Sequence, residues 1–334
     1  MQNNLSHTFN RIQRHAFVCL CILLISLTSC QHKSNSQVHF HRFEQLLFTT
    51  PADQLQDELK KHQEEYNTEL ILLYPDEPEY MQMVQGYTTD PIVQDIYRIT
   101  DSLYHDLSDV ERQLGQALER AYKLYPELPR LNRFYTLVTG DFDNYNYRIY
   151  SNGIDLCVSL DQYALPAMER YQYFGIPNHI VRLCTKEQIV PDCMSTVASL
   201  NCDFPDGEAT LLDHTIAWGK ILYFIEKTMP GLPDTTLLRY TEEQLDWMRH
   251  NTEQVWSYLI QNRLLYSTDQ TLFRNLIDDA PKTNAFGEGS APRTVAYIGW
   301  QIVSTYMKKS GATMQQLFKE TDSQLILTQS AWRP

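Results

Sequence analysis

Apolar residues in the first third of the chain recur at helical spacing. Thr50-Pro51-Ala52-Asp53 supplies an N-cap, a proline at N1 and an acid at N3, and Leu55, Leu59, Tyr66, Leu70 and Leu73 follow as an apolar stripe. Asp90-Pro91 opens a second helix through Val93, Ile96, Tyr97 and Leu103. Ser108-Asp-Val-Glu111 reads as a capping box for a third, which carries Leu114, Leu118, Ala121 and Tyr125 and stops at Pro126. The period then changes. Phe134–Thr139, Tyr145–Tyr150 and Ile154–Leu160 are short and rich in aromatic and β-branched residues, which predicts antiparallel strands with Asn152-Gly153 as the tight turn between the last two. Helices resume near 162. The clearest cover Asp206–Thr228, Thr241–Leu265 with the capping box Thr241-Glu-Glu-Gln244, Thr268–Asp278 and Pro292–Lys309 with Gly311 just beyond, and a pair closes the chain. The fold class is α+β: mainly helical with a small antiparallel sheet.

One apolar run has a different meaning. Arg11, Arg14 and His15 precede the mostly apolar stretch Ala16–Thr28, which ends in Leu27-Thr28-Ser29-Cys30. That is too short to span a bilayer, which needs roughly 20 residues, and it has the layout of a secretory signal. Leu-Thr-Ser-Cys resembles a lipobox, which predicts a lipid-attached Cys30 after removal of residues 1–29. Residues 30–45 are polar at first and read as a lipidated tether; residues 46–334 form a single domain. His39 and His41 fall in the tether and read as solvated rather than as metal ligands.

The chain carries a net charge of −13, and losing residues 1–29 removes two arginines and no acids, giving −13 − 2 = −15. Such a surface repels nucleic acid and anionic headgroups, so the acyl chains must anchor it. The partners expected are membrane lipid through acylated Cys30 and other envelope proteins. Four further cysteines, Cys157, Cys184, Cys193 and Cys202, sit in an exported chain, where one or two disulfides are expected and buried thiols are the alternative. Their gaps lack the close pair of a structural zinc site.

Catalytic patterns are missing. No nucleophile elbow, phosphate loop or kinase signature occurs, and Gly287-Glu-Gly289 lacks the third glycine of a dinucleotide loop. The helix segment Leu211–Trp218 merits comparison with a zinc-peptidase motif, which sets histidines at i and i+4 with a glutamate beside the first. Here His214 is followed by Thr215 in place of the base and Trp218 in place of the second histidine. A lone imidazole does not hold Zn²⁺, and threonine is no base. No metal or other cofactor is expected. Asp141 and Asp143 read as turn residues, and the helically spaced Tyr223, Trp247, Trp256, Trp300 and Tyr306 as core.

Several segments then acquire a common resemblance: Val158–Tyr163, Phe174–Ile180, Trp218–Tyr223 leading to Met229-Pro230, Tyr240–Leu245, Glu253–Trp256, Leu264–Ser267, Ala280-Pro281, Ala291–Tyr306 and the closing Gln329-Ser-Ala-Trp-Arg-Pro334. In this order they resemble the gliding-motility lipoprotein family GldB of Bacteroidetes-type bacteria. The resemblance implies an envelope lipoprotein needed for motility in gliding species and linked to the secretion machinery there. It also implies an outer-membrane anchor facing the periplasm. The same family is similar to a predicted zinc-peptidase family, which implies a degenerate zincin-like scaffold that has lost its metal site and whose peptidase-motif positions are now His214, Thr215 and Trp218. Its leading functional reading is a non-enzymatic lipoprotein that docks other envelope proteins. The alternatives are an exported peptidase or other hydrolase, with His214 working beside Glu208 or Glu226, and a glycan-binding protein that uses surface aromatics.

Overall fold

The computed structural model describes residues 38–142, 148–168, 175–204 and 208–334. Residues 16–30 with the Cys30 lipobox, the tether up to residue 37, Asp143, the first half of the strand expected at Tyr145–Tyr150 and the start of the helix expected at Asp206 lie outside them. Among the described residues the chain is mainly helical with one small sheet, so the α+β class holds. No described helix is long and apolar enough to cross a membrane.

The sheet differs from expectation. Its strands are β1 (Phe40–Arg42), β2 (Arg133–Leu137), β3 (Ile149–Ser151) and β4 (Asp155–Ser159), in the order β1-β2-β4-β3. Only β3 and β4 pair antiparallel, through the Asn152-Gly153 turn; β1 with β2 and β2 with β4 run parallel. The sheet is therefore mixed, not antiparallel. Parallel strands are covered on both faces, and all five residues of β4 are buried, Asp155 and Ser159 at its ends included. Alternate side chains leave opposite faces. Phe134, Leu156 and Val158 enter the main helical core, whereas Tyr135 and Cys157 enter a second core under the N-terminal helices.

β1 also corrects the expected extent of the tether. Val38 and Phe40 are buried in the main core, and a helix at Phe43–Thr49 follows directly, so residues 38–45 belong to the body. The Phe40 N–H donates to Glu111 Oε1 at 2.8 Å. Glu111 is thus spent on a distant backbone, and the helix it was expected to cap has no side-chain cap. Glu44, fully buried, accepts from Thr136 Oγ1 and pairs with Arg42, while burial pushes its carboxyl up.

Nine helices of eight residues or more follow one another among the described residues. They are α1 (Pro78–Thr89), α2 (Pro91–Tyr104), α3 (Ser108–Leu124), α4 (Lys186–Asn201), α5 (Leu211–Thr228), α6 (Glu242–Gln261), α7 (Gln270–Ile277), α8 (Thr294–Ser310) and α9 (Ser323–Ser330). The Asp90 carboxylate caps α2, and reciprocal capping boxes open α5 (Thr210 with Asp213) and α6 (Thr241 with Gln244). The N-terminal stripe is broken instead of continuous. Its helices, Leu55–Lys61 and Gln63–Tyr66, end where Asn67 Oδ1 takes the Leu73 N–H and Thr68 Oγ1 takes those of Leu70 and Ile71.

Helix α5 is buried on nearly every side and crosses α8 backbone against backbone. A Cβ on Gly299 would lie 1.8 Å from the Thr215 carbonyl oxygen, and one on Gly219 would lie 2.3 Å from that of Gly299. No side chain fits between the helices at that point. Gly299→Ala should therefore cost about 3 kcal/mol or more, since neither backbone can yield without moving a whole core helix. Gly86→Ala is the control. Gly86 lies exposed in α1 with open space around its Cβ direction, so alanine there should stabilise by about 0.5–1 kcal/mol. Urea unfolding of the two variants measures both; equal effects would remove the crossing from its central place.

Candidate functional site

The residues singled out in α5 part company in three dimensions. Thr215 is fully buried, its Oγ1 donates back to the Leu211 carbonyl at 2.7 Å, and its own carbonyl faces Gly299. His214 is half-buried near the Phe204 ring, with burial pulling its imidazole down against Asp213. Glu226 is twelve residues further along α5, about 18 Å at 1.5 Å per residue, and its Oε2 accepts from Trp300 Nε1 at 2.9 Å. It is not a partner for His214. Glu208 is exposed. Among the described residues no three His, Cys, Asp or Glu side chains converge as a metal site requires. Trp247, Trp256 and Trp300 pack partly buried against the main core, as helical spacing predicts.

The four cysteines are free, buried thiols, which replaces the expected bridges with the alternative. They are scattered through the interior: Cys157 in β4, Cys193 inside α4, Cys202 at its C-terminal end, and Cys184 against Arg148, whose Nη1 donates to its sulfur at 3.3 Å. Burial pushes all four thiols up, so none is a reactive thiolate.

Trp218 leads to chemistry that the sequence conceals. The Arg293 guanidinium lies over its ring at 4.6 Å, and the indole forms part of a cleft of about 230 Å³ walled also by Arg148, Asp192, Ser195, Arg239 and Asp279. α4, with Pro191 inside it, contributes Asp192, Ser195 and Thr196. Asp192 is the hub. Its Oδ2 accepts from Tyr163 Oη at 2.8 Å and meets Arg148 Nη2 at 3.3 Å, and its Oδ1 receives Arg239 Nη2. Arg239 Nη1 reaches Asp279 Oδ2 at 2.7 Å, and Arg293 Nε lies 3.6 Å from Asp279 Oδ1. Behind them, Arg182 Nη2 donates to the Arg239 carbonyl at 2.9 Å.

Two of these arginines sit in left-handed backbone. Arg239 (φ 62°) ends the short helix Asp234–Leu238, and Arg293 (φ 49°) precedes α8. Such geometry costs a non-glycine residue about 1–3 kcal/mol and persists where the surroundings hold it. Here the guanidinium contacts hold it. Burial lowers the Arg293 guanidinium; for Arg239 burial does the same, but Asp192 and Asp279 outweigh it and raise the group. Burial raises Asp279 too, yet Arg239 and Arg293 dominate and hold its carboxyl down at about 2.

Two measurements follow. Asp279 drops from an ordinary 3.8 to about 2 on folding, so its stabilisation is present above pH 4 and is lost as pH falls toward 2. At 1.36 kcal/mol per pH unit that is about 2 kcal/mol. The non-titrating Asp279→Asn should lose less stability than wild type by about that amount across this window in urea unfolding; parallel curves would mean the cluster does not hold that carboxylate. Titration with Ellman's reagent should find Cys157, Cys184, Cys193 and Cys202 unreactive in the folded protein and all four reactive after denaturation without reductant. A count below four would reveal a bridge.

No curated protein and no solved structure matches this chain. The family model of the gliding motility protein GldB does, over residues 28–334, which takes in the strands, the α5–α8 crossing and every arginine of the cleft. The chain belongs to the GldB family.

Proposed function

We propose that this member of the family is a non-enzymatic lipoprotein of the cell envelope, anchored through Cys30 in the outer membrane and facing the periplasm, that serves gliding motility by docking other envelope proteins. The observation that carries the reading is the state of α5. Of the two positions a zinc peptidase would need beside His214, Thr215 is consumed by the contact with Gly299 and Trp218 is stacked beneath Arg293. A helix so engaged has no place for a second imidazole or a general base. The Leu27–Cys30 motif and the acidic balance of the chain support attachment through acyl chains rather than through a basic patch.

Crosslinking in intact cells, followed by membrane fractionation and mass spectrometry, tests the role. Reproducible protein neighbours in the outer-membrane fraction, unchanged in a His214→Ala strain, are expected. Recovery with lipid alone would remove the docking role. Stoichiometric zinc in the purified chain, lost on His214→Ala, would put a peptidase in its place.

A further inference from the structure

We infer that the end of the sheet at which the body begins is the surface that meets the bilayer, with Leu72 and Ile154 seated among the lipid headgroups. This rests on the Cys30 anchor proposed above and names the face that the anchor turns toward lipid. Three observations converge on it. First, the start of the body is a fixed point. Val38 and Phe40 are buried, and the Phe40 N–H is held by Glu111. Val38 lies 38 − 30 = 8 residues after Cys30. Eight residues reach about 26–29 Å at full extension, so the lipid surface lies no farther than that from Val38.

Second, the register brings that point beside a groove. β1, β2 and β4 are parallel, with Phe40 level with Phe134 and Phe134 level with Leu156. One residue earlier, His39 stands beside Arg133 and Asp155, one and two strand spacings away, or about 5 and 10 Å. Arg133 and Asp155 line a groove of about 430 Å³ whose walls include Leu72 and Ile154. Third, those two aliphatic side chains are held in water. Leu72 is 56% exposed and Ile154 53%. Neither sits on slack backbone. Beside Leu72, the Ile71 N–H is bonded to Thr68 Oγ1 and the Leu73 N–H to Asn67 Oδ1, and both of those leucine and isoleucine side chains are buried. The Ile154 N–H donates to Asn152 Oδ1 at 3.0 Å, and its carbonyl accepts the Asn132 N–H at 2.7 Å. Backbone tied in this way keeps Leu72 and Ile154 outward, where a second apolar phase is needed to take them out of water.

The charges select that phase. Arg133 Nε and Nη2 donate to the two Asp155 oxygens at 3.1 and 2.7 Å, and Glu69 accepts from Asn152 Nδ2 at 3.2 Å. The groove walls carry one arginine against two acids, 1 − 2 = −1, so they do not recruit anionic lipid. A zwitterionic bilayer, kept close by the acyl chains, fits both the apolar pair and this balance. The contact orients the body; the acyl chains hold it.

The mature lipoprotein is reconstituted in vesicles of phosphatidylethanolamine and phosphatidylcholine, with one added cysteine carrying a polarity-sensitive dye. The four body thiols are buried and Cys30 is acylated, so the added cysteine is the labelled one. Leu72→Cys and Ile154→Cys are compared with Ile260→Cys on α6, an equally exposed position. At 72 and 154 the emission should shift to the blue and be quenched by spin-labelled lipid; at 260 it should stay that of dye in water. Added phosphatidylglycerol or raised salt should leave the shifts unchanged, and Leu72→Asp should abolish the shift at 154, with circular dichroism confirming the fold. Dyes at 72 and 154 that report water while the protein stays on the vesicles would overturn this surface and leave the anchor standing. An equal shift at 260, or shifts at 72 and 154 that appear only when other envelope proteins are added, would overturn it too. Protein that washes off the vesicles would remove the anchor and the contact together.

Discussion

The rest of the molecule depends on the contact of two backbones where α5 meets α8. Side chains normally hold helices 8–10 Å apart, and here the Thr215 carbonyl lies where Gly299 would carry a methyl group. The contact does more than fill space. Trp218 adjoins Gly219 on α5, and Arg293 stands six residues before Gly299 at the entrance to α8, so fixing the crossing fixes the indole under its guanidinium. Arg293 in turn faces Asp279, which also pairs with Arg239.

Around this joint the electrostatics form one connected system. Asp192 and Asp279 are each shared by two arginines, and two arginines accept left-handed backbone to stay in place. Strain of that kind survives only if several contacts oppose its release. The cluster is therefore held in one arrangement by several contacts at once.

Some of this was legible in the chain and some was not, for identifiable reasons. Caps formed by neighbours in sequence read correctly: Asp90 on α2 and Thr241 with Gln244 on α6. The box at Ser108 failed because the Glu111 carboxylate has a better use 71 residues away, at the Phe40 N–H. β1 is three residues long and pairs with a strand far along the chain, so no local pattern marks it, and the parallel order of the sheet is hidden with it. That His214 has neither a glutamate beside it nor a second histidine four residues on was visible as spacing on one helix. The arginine cleft was invisible because it is assembled from separate segments at 148, 192, 239, 279 and 293, each of which reads alone as an ordinary charge. The compartment argument predicted bridges, but the four cysteines are free and buried.

The crossing also bears on what this helix can become. On paper, two substitutions in Leu212–Trp218 would write H-E-x-x-H. In space, a glutamate at 215 would bring an unpaired carboxylate into a fully enclosed position, a penalty of several kcal/mol, and a histidine at 218 would strip Arg293 of its aromatic cover. At these two positions the packing of α5 against α8 and Arg293 opposes that motif.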